Sequence, residues 1–379
     1  MGAEAGVKGP VAAHPPALRA GTPEVCAPPG ATLSLAPPAD AAQYLTDLGS
    51  ETLVPAAVAP TSVRVAVTGG AGFIGTHTVE LLVALQAKVL VIDDHSHPCG
   101  EPLPREVEVI SADCASVAAA KALAAFKPDV VLHLASKGGV QKAARDPGDH
   151  VKMSLASTVG LFDAAIKAGA ARIVTASSGG TIYGEGAHLP AREIYKPAPL
   201  SAYGAAKRSE EVYMAALGLR HGISTLAMRY GNVYGPRQDG TGEAGVVAIT
   251  CYRLLARAAP RVYGDGGQTR DFVFVRDVAA ANLAAVLGRA TGELNIGTGR
   301  ETSVNTIVKR LLAESGRHSA TDFLPAREFE VRRVCLNPTR ANRLLKWKAK
   351  VSPTTGLRET WAWFRTRHSA QRAATLGLP

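Results

Sequence analysis

At 379 residues, 46% hydrophobic and 5% aromatic, the chain has room for two or three domains and a sizeable core. Its 42 basic and 32 acidic residues leave +10, and because Lys8 and Arg19 face five acids in the first sixty residues the remainder carries +13, which suits an anionic ligand. No Lys/Arg run with interleaved aromatics indicates nucleic acid, and no run of about 18 apolar residues or basic-then-apolar start indicates a membrane span or secretory signal, so a phosphorylated small molecule is the expected partner.

Residues 1–60 hold ten of the 24 prolines among Ala, Gly and Thr, a composition that interrupts helices and offers little to bury; it reads as a disordered, dispensable leader. The five cysteines (Cys26, Cys99, Cys114, Cys251 and Cys335) are scattered, without a CxxC pair or a Cys/His cluster. That excludes a zinc site and fits a reduced, cytoplasmic setting.

From Val63 onward short β-branched runs alternate with Ala-rich helical stretches. Strands are predicted at Val63–Val67, Lys88–Ile92, Val107–Ile110, Val130–Leu134, Arg172–Ala176 and Thr225–Arg229. Helices are predicted near Phe73–Leu85, Ser116–Phe126, Asp149–Ala168 and Tyr203–Leu219. This is the pattern of an α/β fold, a doubly wound parallel sheet of Rossmann type, whose ligands bind at the carboxyl ends of the strands. Beyond it come helices near Val246–Ala258, Val304–Leu312 and Pro353–Arg365 and apolar runs at Phe272–Val275 and Leu294–Ile296. They predict a smaller C-terminal region over those strand ends.

The first strand runs into Thr68-Gly69-Gly70-Ala71-Gly72-Phe73-Ile74-Gly75, a GxxGxxG spacing that opens a helix. Gly69 permits the tight turn, Gly72 lets backbone approach a pyrophosphate, Gly75 lets helix and strand pack closely, and the helix start at Phe73 and Ile74 presents free N–H groups. Asp93 follows Gly69 by 24 residues at the end of the second strand, where a carboxylate accepts from both ribose hydroxyls and repels a 2′-phosphate. NAD is therefore the expected cofactor. Asp94 beside it, Asp113 after the third strand and Ala135 after the fourth complete the expected cofactor contacts.

Tyr203 and Lys207 stand four apart at the start of a predicted helix, on one face a turn apart. A nearby ammonium stabilises a phenolate and lowers the pKa of the tyrosine from about 10 toward the working range of a base.

Glycine loop and Tyr/Lys pair together resemble the extended short-chain dehydrogenase/reductases, and within them the NAD-dependent nucleotide-sugar epimerase/dehydratase family, from about Val63 to Arg365. The segments 133–135, 177–184, 229–238, 270–272 and 275–278 carry the same resemblance. It implies a Rossmann domain at 61–235 that binds NAD and a substrate-binding region at 236–379, with 265–297 packing back on the first domain. It also implies a third catalytic group, a Ser or Thr hydroxyl. The usual position is Gly179 here, so Ser178 is the expected substitute ahead of Thr181. Asn232 resembles a donor to a phosphate, Arg270 and Arg327 resemble diphosphate-binding arginines, and Glu330 the acid that holds the uridine ribose.

Family members that dehydrate a sugar carry an Asp-Glu pair where this chain has Gly179-Gly180, so the implied reaction is 4-epimerisation of a UDP-sugar. UDP-glucose/UDP-galactose lead, followed by UDP-N-acetylhexosamine and UDP-glucuronate; a decarboxylase or dehydratase and an idle NAD-binding sensor are the alternatives. In that reaction Tyr203 takes the 4′-hydroxyl proton while C4′ gives hydride to NAD, and hydride then returns to the other face. The resemblance further implies a homodimer pairing through Asp149–Ala168 and Tyr203–Leu219. Two departures lie near the expected nicotinamide pocket: Ser154 replaces a common Asn, and Lys137-Gly138-Gly139 stands for an Ala/Gln-containing segment, which gives Lys137 the chance to pair with a sugar carboxylate.

Overall fold

The computed structural model describes residues 63–97, 99, 101–240, 245–327 and 330–375; the leader expected at 1–60 lies outside them. Strands β1 (Arg64–Thr68), β2 (Lys88–Asp93), β3 (Glu108–Ser111), β4 (Val130–His133), β5 (Arg172–Ser178) and β6 (Ser224–Tyr230) occur where the apolar runs predict them. With β11 (Gly292–Ile296) they form one seven-stranded sheet in the order β11-β6-β5-β4-β1-β2-β3, parallel in every pairing. The order reverses between β1 and β4, the switch point at which such sheets open a crevice.

Alternation along the strands feeds two cores. Val65 and Val67 of β1 join Val91, Leu132 and Met228 under α1 (Phe73–Ala84), whereas Ala66 joins Leu90, Val131, Ile173 and Ala227 on the other face. That second face is covered by α2 (Val117–Phe126), then, after α3 (Val140–Arg145) and α4 (Pro147–His150), by α5 (Ser157–Lys167), and, after the single turn α6 (Gly179–Ile182), by α7 (Ala202–His221). Local chemistry sets the helix ends. Ser116 and Ser201 cap α2 and α7 by accepting from Ala119 N and Gly204 N, and Gly222 closes α7 at φ 67°.

Two elements differ from the sequence reading. The helix predicted at Asp149–Ala168 is preceded by α3 and α4 and begins with a π-helical segment, Val151–Ala156, before α5. Its wider turn carries Met153 and Ser154 toward the crevice, and the first residues of α5 add Ser157 and Thr158. After β7 (Asn232–Tyr234), α8 (Val246–Leu255), β8 (Arg261–Tyr263), β9 (Thr269–Arg270) and β10 (Phe272–Phe274) comes an unpredicted helix, α9 (Val275–Leu287). Its buried residues surround the whole helix, because it lies between α1, strands β4 and β6 of the sheet, and Trp347; a helix without a polar face has no amphipathic period to read.

The chain ends with β12 (Thr302–Ser303), α10 (Val304–Ser315), β13 (Asp322–Leu324), α11 (Thr339–Leu345) and α12 (Pro353–Thr375). Helices α8, α10 and α12 bury Val247, Leu254, Ile307, Leu311, Leu357 and Trp361 in a third core with Phe272 and Phe274. Asp271, fully buried, fastens this region to the sheet's end by accepting from Thr298 N, Thr298 Oγ1, Gly299 N and Leu336 N. Among the described residues no helix is long and apolar enough to cross a membrane.

Candidate active site

A cleft of about 750 Å³ opens at the switch point between β1 and β4. Gly69, Gly72, Phe73, Ile74, Gly75, Asp93, Asp94 and Ala135 all line it, as expected from the sequence. Gly69 sits at φ 70°, and a side chain there would meet the backbone of Ala135 at 2.6 Å; one on Gly75 would lie 2.1 Å from Gly69 O. Strand, loop and helix therefore approach as closely as hydrogen permits. Helix α1 starts at Gly72 without a side-chain cap, which leaves the N–H groups of its first turn to face the cleft, a cradle for a pyrophosphate.

Asp93 is buried and oriented by the loops it joins, accepting from Ala71 N at 2.9 Å and His95 N at 2.8 Å. Lys137 spans the cleft wall to Asp94 at 3.4 Å and to Asp113. Burial raises both carboxyls, but hydrogen bonds and the Lys137 charge outweigh it and leave both below the usual range. Lys137 pairs with these two carboxylates, and Asp113 turns its carboxylate to Lys137 and to Ala115 N while its neighbours Ala112 and Cys114 line the cleft.

The inner end of the cleft is formed by His133, Ser154, Ser157 and Thr158. Behind Ser154 lies the Tyr/Lys face of α7. Ser154 Oγ donates to Glu210 Oε1 at 3.0 Å, and Lys207 Nζ donates to Glu210 Oε2 at 2.9 Å; Lys207 is 3% and Glu210 1% exposed. Tyr203 is half-buried, its ring 6.1 Å from that of His150. Against the expectation from the Tyr/Lys spacing, the Tyr203 hydroxyl is pushed above its ordinary range: burial raises it more than Lys207 lowers it, and Glu210 adds to the rise. Lys207, which burial would neutralise, is held above its usual range by Glu210 and Tyr203.

Ser178 ends β5 and precedes α6. The segment it opens is seated on the first turn of α7, since a side chain on Gly204 would lie 2.8 Å from Thr181 O and 3.1 Å from its Cβ. Thr181 Oγ1 is buried without a partner, whereas Ser178 is half-exposed. A side chain on Gly180 would lie 3.9 Å from Ser178 Oγ and 3.5 Å from Asn232 Oδ1, so these two polar groups flank a position open for lack of a side chain. Gly179 faces inward, its missing Cβ 2.5 Å from Leu336 and 3.1 Å from Arg229 O. A carboxylate at 179 would enter the core.

A buried network beneath fixes these parts together. Glu211 accepts from Ser177 Oγ at 2.6 Å, from Arg229 Nε and NH2 at 2.9 and 2.7 Å, and from Arg208 NH1 at 2.8 Å. It thereby ties the ends of β5 and β6 to α7.

On the substrate side, Arg270 and Glu330 are brought together at 2.7 Å, the expected phosphate-binding arginine on the expected ribose acid. Arg327 instead lies over the Tyr263 ring, 3.9 Å from its centroid. Tyr203, Lys207, Ser178, Asn232, Arg270, Arg327 and Glu330 do not line the dinucleotide cleft itself. The sequence reading passed over Glu210 and Glu211; the signal for both was a pair of acids one turn beyond Lys207 on a helix whose apolar face must be buried. Among the described residues no cluster fit for a metal occurs.

The fold agrees with that of known proteins. The NAD dependent epimerase/dehydratase family matches residues 65–297. The UDP-glucose 4-epimerase of Mycolicibacterium smegmatis is 37% identical over 310 residues, 80% of this chain and 99% of the relative. The crystal structure of the Thermotoga maritima UDP-glucose 4-epimerase with UDP-glucose superposes with a TM-score of 0.77 at 37% identity, covering 80% of this chain and 99% of that one. The Thermus thermophilus UDP-glucose 4-epimerase in complex with NAD gives 0.77 at 35%, with coverage of 80% and 99%. With its family matched from the first strand to the last strand of the sheet, the chain belongs to the NAD-dependent epimerase/dehydratase family.

Proposed function

We propose that this chain is a UDP-sugar 4-epimerase that retains NAD, with UDP-glucose and UDP-galactose as its substrate pair. The observation that carries the reading is the seating of Ser178 and Asn232 around the open Gly180, on the segment packed against the turn of Tyr203, with Gly179 facing the core. A second acid/base pair for dehydration has no place on that segment, and one hydroxyl-to-ketone interconversion at a single carbon needs none. Relatives covered over nearly their whole length bear the same activity in their names.

Residues 61–235 hold the cofactor, with Asp93 and Asp94 toward the adenosine, the first turn of α1 on the pyrophosphate, and Ala135, Tyr203 and Lys207 toward the nicotinamide. Asp113 contributes through Lys137. When bound, NAD supplies a hydride acceptor and donor at the sugar's C4′. Tyr203 Oη takes and returns the 4′-hydroxyl proton, Ser178 Oγ orients that hydroxyl, and Lys207 fixes the base. Residues 236–379 bind the nucleotide, with Asn232 before them: Arg270 and Arg327 for the diphosphate, Glu330 for the ribose. Glu330 then exchanges Arg270 for ribose hydroxyls when substrate arrives. Residues 265–297 belong with the first part through β11 and α9. The four described cysteines are all free, which fits a cytoplasmic setting.

Incubation with a panel of UDP-sugars, with products resolved by chromatography and mass, tests the assignment. An isomer of unchanged mass from UDP-glucose or UDP-galactose is expected. A product lighter by water or carbon dioxide would make the protein a dehydratase or decarboxylase, and tight NAD binding without turnover of any sugar would make it a sensor.

A further inference from the structure

Lys207 has an acid of its own. Its ammonium sits in a site where it is 3% exposed, and Glu210, 1% exposed, meets it at 2.9 Å while Ser154 holds the other carboxylate oxygen at 3.0 Å. The three side chains come from one helical turn and from the π-helical segment that lines the cleft. Other titratable groups face the pair from neighbouring elements. His133 at the end of β4 is pushed down to about 3 by burial and Lys207 and is neutral, and Cys114 after β3 is pushed up to about 11 by burial and Asp113 and is a thiol. His150 of α4 lies against the Tyr203 ring. Glu210 is thus the negative charge closest to Lys207 among these groups, and it has no role in the chemistry described above.

We propose that Glu210, seated by Ser154, is a positioning residue: it fixes the Lys207 ammonium and cancels part of its charge, so that Tyr203 keeps its proton until a cation enters the cleft. Without that carboxylate the ammonium would draw the phenol further toward ionisation, against the burial that holds it protonated. With a carboxylate on that ammonium the pair is close to neutral, and in a buried setting of low dielectric the next positive charge to arrive, that of the oxidised nicotinamide, decides ionisation. The base is then formed only in the cofactor state that can accept hydride, and the phenol reforms once that charge is gone. The inference rests on the proposed function for its catalytic meaning, but its measurement needs no sugar.

The test is an ultraviolet titration of the tyrosinate band, taken as wild type minus Tyr203→Phe, without cofactor and with NAD. Wild type without NAD is expected to titrate above free tyrosine, at more than about 10, and lower with NAD. In Glu210→Gln the midpoint without NAD should fall by about one pH unit or more, because removing a buried negative charge lowers the proton affinity of the coupled Tyr/Lys pair whichever member releases the proton. Glu210→Asp, which keeps the charge, should recover at least half of that shift, and the acid limb of kcat should move with it. An unshifted midpoint in Glu210→Gln, or an Asp variant displaced as far as the Gln variant, overturns the proposal. Should the Gln variant not fold, the wild-type titration decides: a midpoint at or below that of free tyrosine, about 10, without NAD overturns the proposal. A protein that turns over no UDP-sugar yet shows these shifts would refute the epimerase reading and leave this one standing.

Discussion

The Tyr203 hydroxyl is placed where its own burial works against ionisation, and Lys207 offsets only part of that effect. A base so situated acts through proximity: it needs the sugar hydroxyl within reach and the cleft occupied. Tyr203→Phe should retain NAD and lose about 10³-fold in kcat, the scale of removing a positioned acid/base group; unchanged turnover would remove Tyr203 from the chemistry. Ser178→Ala should cost on the order of tenfold or more in kcat, while Thr181→Ala, which deletes a hydroxyl buried without a partner, should leave kcat near wild type. A larger loss at Thr181 than at Ser178 would reverse their roles. Both variants are read from initial rates with saturating UDP-sugar.

At the scale of elements, the cofactor site is a contact between β1, its loop and α1 that tolerates no side chain. Gly75→Ala puts a methyl 2.1 Å from Gly69 O, so loop and helix must part and the N–H cradle with them. NAD affinity should fall by at least about tenfold, equivalent to about 1.4 kcal/mol, measured as NAD released from denatured protein after purification; full occupancy would show that the loop has slack. The network around Glu211 does the corresponding work for the catalytic half. It joins β5, β6 and α7 by charge-assisted hydrogen bonds, and its carboxyl, raised by burial but lowered further by Arg229, Ser177 and Arg208, lies below the usual range.

For the whole molecule, α7 presents Val212 at 51% and Leu219 at 78% exposure, seven residues apart on one face, with Tyr213 beside them and Val151 exposed at the start of the π-helical segment. An apolar stripe of this kind suits a second copy of the chain meeting the same pair of helices about a twofold axis. The protein should therefore sediment at twice the chain mass, and Val212→Asp with Leu219→Asp should convert it to monomer with NAD still bound. A wild-type monomer at micromolar concentration would dispose of the homodimer.

By itself the sequence determined the sheet, the glycine loop, Asp93 and the Tyr203/Lys207 pair, because each is written in a local pattern: β-branched runs of strand length, glycines at fixed offsets, two side chains a helical turn apart. Only the tertiary structure decided the rest. Helix α9 is buried all round and has no period to read, and Lys137 reaches Asp94 and Asp113 only once three strand ends converge. Glu210 reads on the chain as one more surface acid; it becomes a buried counter-charge because the π-helical segment brings Ser154 to it and the fold buries it beside Lys207. Charge and burial depend on what lies across the fold, and no neighbour in sequence reports that.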